Sequence, residues 1–376
     1  MSSETENWSY EVQNKIVQKM NKVIRRNLNK IPYQPIDGRY SRDHSNEISN
    51  WTNGFWGGIL WQMYIWTKDF LYQEEAEKLE KKQDAIFLRS DGFDHDSGFK
   101  WLPTAVVDYK LFGGKDALNR GMLAADNLAG RFNLAGNFIR AWNDREDGVD
   151  TRGWAIIDCL MNLPLLYWAS EESQDPRFCQ IAKKHADMVR TAFVRSDGSV
   201  NHIVEFDPFT GEKISTHGGQ GMADGSSWTR GQAWGIYGFA LSYKHTNDEK
   251  YLKTAQKIAD YFISKIPENC HIPVDFCQPQ EVDYEDDTAA AIAACGFLEI
   301  ASCVTGNEAE KYRNWAIRLL KILTEEDADW NEENDPLLLK GTGSYDDPIH
   351  NYPILYGDFY YMLAIAKLNK QAIPIW

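Results

Sequence analysis

Helical segments of two kinds alternate along the chain, and that alternation constrains the fold more than any other feature of the sequence. The first kind is amphipathic. Ile16, Met20, Val23, Ile24 and Leu28 recur at helical spacing among Lys, Arg and Asn. Phe178, Ile181, Ala182, Ala186, Val189 and Phe193 repeat the pattern, as do Leu252, Ala255, Ile258, Ala259, Phe262, Ile263 and Ile266. Such stripes belong to helices with one wet face. The second kind is apolar nearly all round: residues 55–66, 153–168, 234–243, 289–301 and 359–368, with 101–111 a weaker member. A helix apolar on every side is buried.

The buried segments open alike, from loops rich in aromatic, Gly and Asp residues. Examples are Trp51-Thr52-Asn53-Gly54-Phe55-Trp56, Asp96-Ser97-Gly98-Phe99, Trp228-Thr229-Arg230-Gly231-Gln232, Tyr284-Glu285-Asp286-Asp287-Thr288 and Tyr356-Gly357-Asp358-Phe359. These starts recur roughly every 45 to 75 residues, a repeat length typical of solenoid-like architectures. Six inner helices alternating with six outer ones predict an all-α fold, an (α/α)6 barrel or toroid. Parallel inner helices would bring their opening loops to one end, as a funnel of aromatics and carboxylates. A hairpin arm is expected over residues 199–211, and no Pro/Ser linker divides the chain, so residues 1–376 are expected to form a single domain.

Composition narrows the partners. The net charge is −15, which opposes nucleic acid as a partner because phosphate binding needs a basic field. The residues after Met1 are polar and no apolar run reaches membrane-spanning length, so no membrane contact and a cytoplasmic location are expected. Cys159, Cys179, Cys270, Cys277, Cys295 and Cys303 show neither CxxC pairs nor a short disulfide framework, which fits reduced thiols. No metal-ligand spacing, P-loop, GxGxxG or GxSxG is present, so no metal and no cofactor are expected. The 14 Trp residues exceed what a core ordinarily uses, and indole faces stack on pyranose rings.

Asp158 is the most informative single residue. It is the only charged residue in the run 153–168. A carboxyl in apolar surroundings has a raised pKa, as a general acid near neutral pH requires; a structural Asp bonded to a neighbouring loop is the alternative. Asp96, in Asp94-His95-Asp96-Ser97-Gly98-Phe99, reads as a second site carboxylate or as a helix cap. Trp51, Trp142 and Trp234 stand in or near the opening loops and are candidate sugar platforms. Arg230 could clamp a carboxylate or could be tied to one of the chain's many acids. His202 and Gln220 lie in the longest loop region.

Taken together these residues resemble glycoside hydrolase family 88, the unsaturated glucuronyl hydrolases, from about Asn50 to Tyr361. The resemblance rests on residues 51–61, on His95-Asp96-Ser97-Gly98-Phe99, on 156–164, on the long run 224–238 around Arg230, on 294–300 and on Tyr356-Gly357-Asp358-Phe359-Tyr360-Tyr361. It implies an (α/α)6 barrel acting on oligosaccharides left by polysaccharide lyases, whose non-reducing end is a 4,5-unsaturated uronic acid. It also implies hydration of the enol ether: a proton is delivered to carbon 4, water adds at carbon 5, and the hemiketal opens to release the leaving sugar. The two-carboxylate distance rule of ordinary glycosidases does not apply to such a reaction.

By the same resemblance Asp158 is the acid/base and Asp96 the second essential aspartate. Trp51, His95, Trp142, His202, Gln220, Arg230, Trp234 and Tyr345 fall on substrate-contact positions, with Arg230, Gln220 and Trp234 near the uronate. The partner is an unsaturated uronyl oligosaccharide of glycosaminoglycan type, and the enzyme a monomer or weak homo-oligomer. The readings left beside it are an unsaturated rhamnogalacturonyl or galacturonyl hydrolase, an epimerase on the same barrel, and a non-catalytic sugar-binding toroid. Three departures from the family pattern bear on the leaving sugar. Extra Gly precedes Gln220, Val274 replaces a common aromatic, and the segment 341–353 carries Asp346-Asp347 in place of a Ser/Lys pattern that holds sulfate. Poor use of 6-O-sulfated amino sugars is expected.

Overall fold

A computed structural model describes residues 3–143 and 148–376. Among them, outer and inner helices alternate through the whole chain. The outer set is α1 (Ser3–Arg26), α3 (Phe70–Gln83), α6 (Lys115–Gly130), α8 (Pro176–Ala192), α10 (Glu249–Lys265) and α12 (Gly306–Ile322). The inner set is α2 (Asn53–Thr67), the pair α4 (Ser97–Trp101) and α5 (Val107–Phe112), α7 (Leu163–Ser173), α9 (Thr229–Thr246), α11 (Asp287–Cys303) and α13 (Leu355–Leu368). Each inner helix packs against the next, and α13 closes the ring on α2. The protein is the expected (α/α)6 barrel.

Burial follows the sequence pattern. Helix α9 is buried from Thr229 through Ser242, and α13 along its whole length apart from Lys367. By contrast α10 buries only the face of Tyr251, Leu252, Thr254, Ala255, Ile258, Ala259 and Phe262. Asp69, Asp175 and Asp248 start the outer helices α3, α8 and α10, each accepting a backbone N–H in its first turn, which satisfies a donor the helix itself cannot.

Loop length gives the barrel its polarity. Each inner helix before α13 passes to the next outer one through two residues: 68–69, 113–114, 174–175, 247–248 and 304–305. Lys68, Gln174 and Asn247 adopt left-handed φ in these turns, closing them tightly. The return connections, 27–52, 84–96, 131–162, 193–228, 266–286 and 323–354, are all longer. One end of the barrel is therefore a tight base and the other a loop-built funnel, at the N-termini of the inner helices.

Two inner segments differ from the sequence expectation. Residues 153–168 do not form one helix. Trp154–Ile156 is a strand, β3, Ile157–Met161 a 3-10 turn, and α7 begins only at Leu163. Backbone pairing of Ile156 with Ile203 holds the first part extended, and Pro164, which lacks an N–H, suits a helix start. Between α4 and α5 the helix widens over Leu102–Val106, where Pro103 removes a donor. The hairpin arm is present: β4 (Ile203–Phe206) pairs antiparallel with β5 (Lys213–His217) on one side and β3 on the other. A second, two-stranded ribbon joins β1 (Phe132–Asn133) to β2 (Phe138–Ile139). No helix among the described residues is long and apolar enough to cross a membrane.

Candidate active site

The funnel floor is assembled from the starts of the inner helices. Asp158 is carried by the 3-10 turn between β3 and α7. Its side chain is 16% exposed, and its Oδ1 is buried without a hydrogen-bond partner. Burial pushes its carboxyl up to about 7, and the charge of Arg230 only partly opposes the push. His202, just before β4, faces it: Nε2 lies 4.0 Å from Asp158 Oδ1, beyond hydrogen-bond reach. The other ring nitrogen is held between the Gln220 N–H (3.0 Å) and the Gly218 carbonyl (3.1 Å). Burial drives His202 down to about 3, so the imidazole is neutral at working pH.

Asp96 precedes α4. Asn162 links it to Asp158: its Nδ2 lies 3.5 Å from Asp96 Oδ1 and 3.3 Å from the Asp158 carbonyl, while its Oδ1 accepts from Phe99 N at 2.8 Å. His95 Nε2 is 3.4 Å from Asp96 Oδ1, and burial keeps that imidazole well below the ordinary histidine range. Burial also raises Asp96 well above the carboxylate range, with Asp94 and Asp158 adding like-charge repulsion. Two carboxyls in such a relation lose their protons in separate steps that belong to the pair.

The aromatic wall is partly as expected. Trp51 is half-buried and packs on Tyr356 (4.9 Å), Phe99 (5.4 Å) and Phe55 (5.8 Å). Trp142 is half-buried beside Trp154 at 5.9 Å, on the face of the sheet that leads into Asp158. Trp234 corrects the sequence reading. It is fully buried, one turn into α9, against Phe99 and Tyr360 at 5.1 and 5.4 Å. It supports the floor from beneath and offers no face to a sugar.

Arg230 also departs from expectation. Its guanidinium is ion-paired with the fully buried Asp286, donates to the Thr342 and Gly343 carbonyls at 2.8 and 2.5 Å, and lies 4.7 Å from the Trp228 ring. The pair is electrically balanced, so the free cation envisaged for a carboxylate clamp is not what the fold presents. Gln220 joins the same loop through Gly343 O (2.7 Å), and its carbonyl accepts from Tyr345 N at 3.0 Å. Tyr345 is half-buried at the rim, 5.5 Å from Tyr284.

The extra Gly before Gln220 has a geometric reason. Gly219 adopts φ +60°, and a Cβ there would fall 2.1 Å from His202 Nδ1, so the backbone passes directly over the imidazole. Val274 is completely buried, so the missing aromatic alters packing and opens no subsite.

Sequence reading missed Asn162 and Asp286 as parts of the site. Asp286 stands in a helix-opening loop and Asn162 in the Asp158 run, but nothing in their spacing marks a contact to Arg230 or Asp96. Away from the floor, His271, Glu285 and Asp327 are grouped closely enough to hold a metal ion. Lys340 already supplies that cluster with a cation, 3.0 Å from Glu285 and 2.9 Å from Asp327.

An (α/α)6 barrel with aromatic walls around buried carboxyls fits a glycoside hydrolase of the toroid type. No protein-family model matches the chain, but individual relatives do. The unsaturated glucuronyl hydrolase of Bacillus sp. strain GL1 is 37% identical over 339 residues, covering 88% of this chain and 89% of the relative. An unsaturated chondroitin disaccharide hydrolase of Streptococcus pneumoniae is 32% identical over 336 residues, covering 87% and 84%. The crystal structure of the Bacillus sp. GL1 hydrolase, described as responsible for the degradation of glycosaminoglycan, superposes with a TM-score of 0.90 at 33% identity, over 97% of this chain and 98% of that one. The chain belongs to the unsaturated glucuronyl hydrolase family.

Proposed function

We propose that the funnel receives a lyase-generated oligosaccharide of glycosaminoglycan type and removes its 4,5-unsaturated uronic acid by hydrating the enol ether. Asp158, protonated near neutrality, gives its proton to carbon 4. Positive charge develops at carbon 5 and the ring oxygen. Water, losing a proton to the Asp158 carboxylate, adds at carbon 5, and the hemiketal opens to expel the leaving sugar. Asp96 accepts hydrogen bonds from ring hydroxyls. His95, His202 and Gln220 orient the uronate, Trp51 and Trp142 stack on the sugars, and Tyr345 lines the rim. Arg230 acts through its pair with Asp286, holding the loop of Thr342 and Gly343 against the site. The whole chain works as one catalytic domain, as a monomer or weak homo-oligomer. Its six unpaired thiols suit the reducing cytoplasm.

The observation that carries this reading is Asp158: a carboxyl raised by burial to about 7, facing a neutral His202 at the funnel floor. A general acid needs a pKa of that kind. The assay follows the conjugated enol carboxylate, whose ultraviolet band should bleach with chondroitin- or hyaluronan-derived unsaturated disaccharides. No bleaching with these or with heparin or pectin products would refute the hydrolase reading. Turnover in heavy water should place deuterium at carbon 4.

Leaving-sugar preference is proposed from the 341–353 segment. It contains no Lys or Arg, Asp346 is exposed, and Asp347 accepts from Ser344 N and Tyr352 O–H at 2.9 and 3.3 Å. Carboxylates at the rim repel sulfate, so 6-O-sulfated amino sugars should turn over more slowly than their unsulfated counterparts. Equal rates across that pair would remove the proposal.

A further inference from the structure

The rim segment that carries Tyr345 is tied down by a residue the reaction as described does not use. Upstream, Arg230 and Gln220 hold the segment at Thr342 and Gly343. Tyr345 itself has a peptide group on either side, and both are held. Its N–H donates to the Gln220 carbonyl at 3.0 Å. Its own carbonyl lies 2.9 Å from His350 Nε2. A carbonyl can only accept, so Nε2 carries a proton and donates it. Each residue has only two soft backbone dihedrals. Holding both flanking peptides therefore sets the direction in which the Tyr345 side chain leaves the chain.

The imidazole that makes this bond is held in turn. It lies flat on the Tyr284 ring, with centroids 3.5 Å apart and planes within 3°. Contact over a whole ring face sets the plane of the imidazole, and so the direction in which Nε2 donates. Tyr284 also meets the Tyr345 ring edge-on, at 5.5 Å and 64°. Asn351, the next residue, adopts a left-handed φ of +54°. Its Oδ1 accepts from Glu285 N at 2.7 Å and its Nδ2 donates to the Asp283 carbonyl at 2.9 Å, one bond on each side of Tyr284. His350 and Asn351 thus dock the rim segment on the loop that opens α11. Gln220 docks it on the loop that passes over His202. Three stretches distant in the chain meet at one tyrosine.

We propose that His350 is a positioning residue for recognition of the leaving sugar: by donating from Nε2 to the Tyr345 carbonyl while stacked on Tyr284, it fixes the angle at which Tyr345 meets that sugar. This rests on the reading of Tyr345 as a substrate contact. Proton transfer belongs to Asp158 on the funnel floor. A displaced Tyr345 therefore weakens the hold on the leaving sugar and leaves the chemical step alone.

The test compares His350→Phe and His350→Gln in the full chain. Phe keeps a ring for Tyr284 and removes the donor, whereas Gln keeps a donor. Two substrates are used: a chondroitin-derived unsaturated disaccharide, and the methyl glycoside of the same unsaturated uronic acid, which has no leaving sugar for Tyr345 to meet. In His350→Phe, KM for the disaccharide should rise about fivefold, the worth of one hydrogen bond. Its kcat, and kcat/KM for the methyl glycoside, should stay nearly unchanged. Gln should recover most of the rise. A loss shared equally by both substrates, or one confined to melting temperature, would make His350 a packing residue and overturn the proposal, as would a Gln variant no better than Phe. Tyr345→Ala reads the underlying assignment. It should raise the disaccharide KM by itself and make His350→Phe silent. An unchanged KM in Tyr345→Ala would overturn the contact assignment. Amide exchange at Tyr345 tests the positioning separately: it should be about tenfold faster in His350→Phe, and an unchanged rate overturns the proposal whatever the KM.

Discussion

Asp158 and Asp286 both sit at the openings of inner helices, and burial raises both carboxyls. Their surroundings then diverge. Asp286 is ion-paired with Arg230 and also receives backbone N–H donors around Thr288, Ala289 and Thr342. Each leaves its Oδ1 without a hydrogen-bond partner, but among the described residues Asp158 has no cation at ion-pair distance other than a histidine held neutral. Two acids of similar burial thus serve opposite ends. One is ion-paired with a guanidinium and fixes a loop. The other is left costly to ionise, and that cost makes it a proton carrier near neutral pH. A buried acid is a functional candidate only when its compensation is missing.

The largest effect should come from Asp158→Asn, with turnover falling by about 10³-fold or more in the bleaching assay. The same variant should be more stable than the parent at pH 8. The folded-state pKa of Asp158 is raised to about 7, so ionisation is favoured in the unfolded chain first. Stability is full below the unfolded carboxylate pKa and is lost as pH rises through about 7. The Asn variant escapes that loss, by up to ~4 kcal/mol. Urea melts should show the advantage shrinking as pH drops toward 4. A variant equally destabilised at both pH values would show that Asp158 is structural, like Asp286.

Arg230→Met should act in the opposite sense. It leaves Asp286 buried and unpaired, at a cost of about 3–5 kcal/mol, and releases the Thr342–Gly343 loop. Adding Asp286→Asn should recover much of the stability in a double-mutant cycle. Full activity in the single variant would erase the contrast between the two acids. A milder handle is pH itself: kcat should fall above about 7, approaching tenfold per unit, because the donor must be protonated. His202 and His95 stay neutral and should contribute no limb.

The barrel was largely legible in the sequence because burial writes itself as periodicity. Striped helices proved outer and uniformly apolar ones inner. The 153–168 run misled because an apolar stretch bearing a Pro reads equally as buried helix or as strand and turn; the pairing of Ile156 with Ile203, 47 positions away, decided it. Asp158 and Asp96 could be found as charges in the wrong company. Asn162 could not, since only the folded chain shows that its amide reaches Asp96, 66 positions away. Arg230 was visible as a candidate, but its partner Asp286 lies 56 residues on, beyond any local pattern.

The tryptophans repeat the open-against-sealed contrast at smaller scale. Trp142 and Trp234 looked equivalent as sugar platforms. Trp142 is half-buried beside the Asp158 strand, whereas Trp234 is enclosed by Phe99 and Tyr360. Trp142→Ala should raise KM about fivefold, the equivalent of ~1 kcal/mol of lost stacking, with melting temperature nearly unchanged. Trp234→Phe should leave KM alone and lower stability by ~1–3 kcal/mol, through the cavity left when the indole is trimmed. The two variants are expected to separate on perpendicular axes, one in substrate affinity and one in denaturant midpoint. A rise in KM for Trp234→Phe without a stability loss would mean that the floor opens to admit the sugar, and that the sealed state of that indole belongs to the empty enzyme alone.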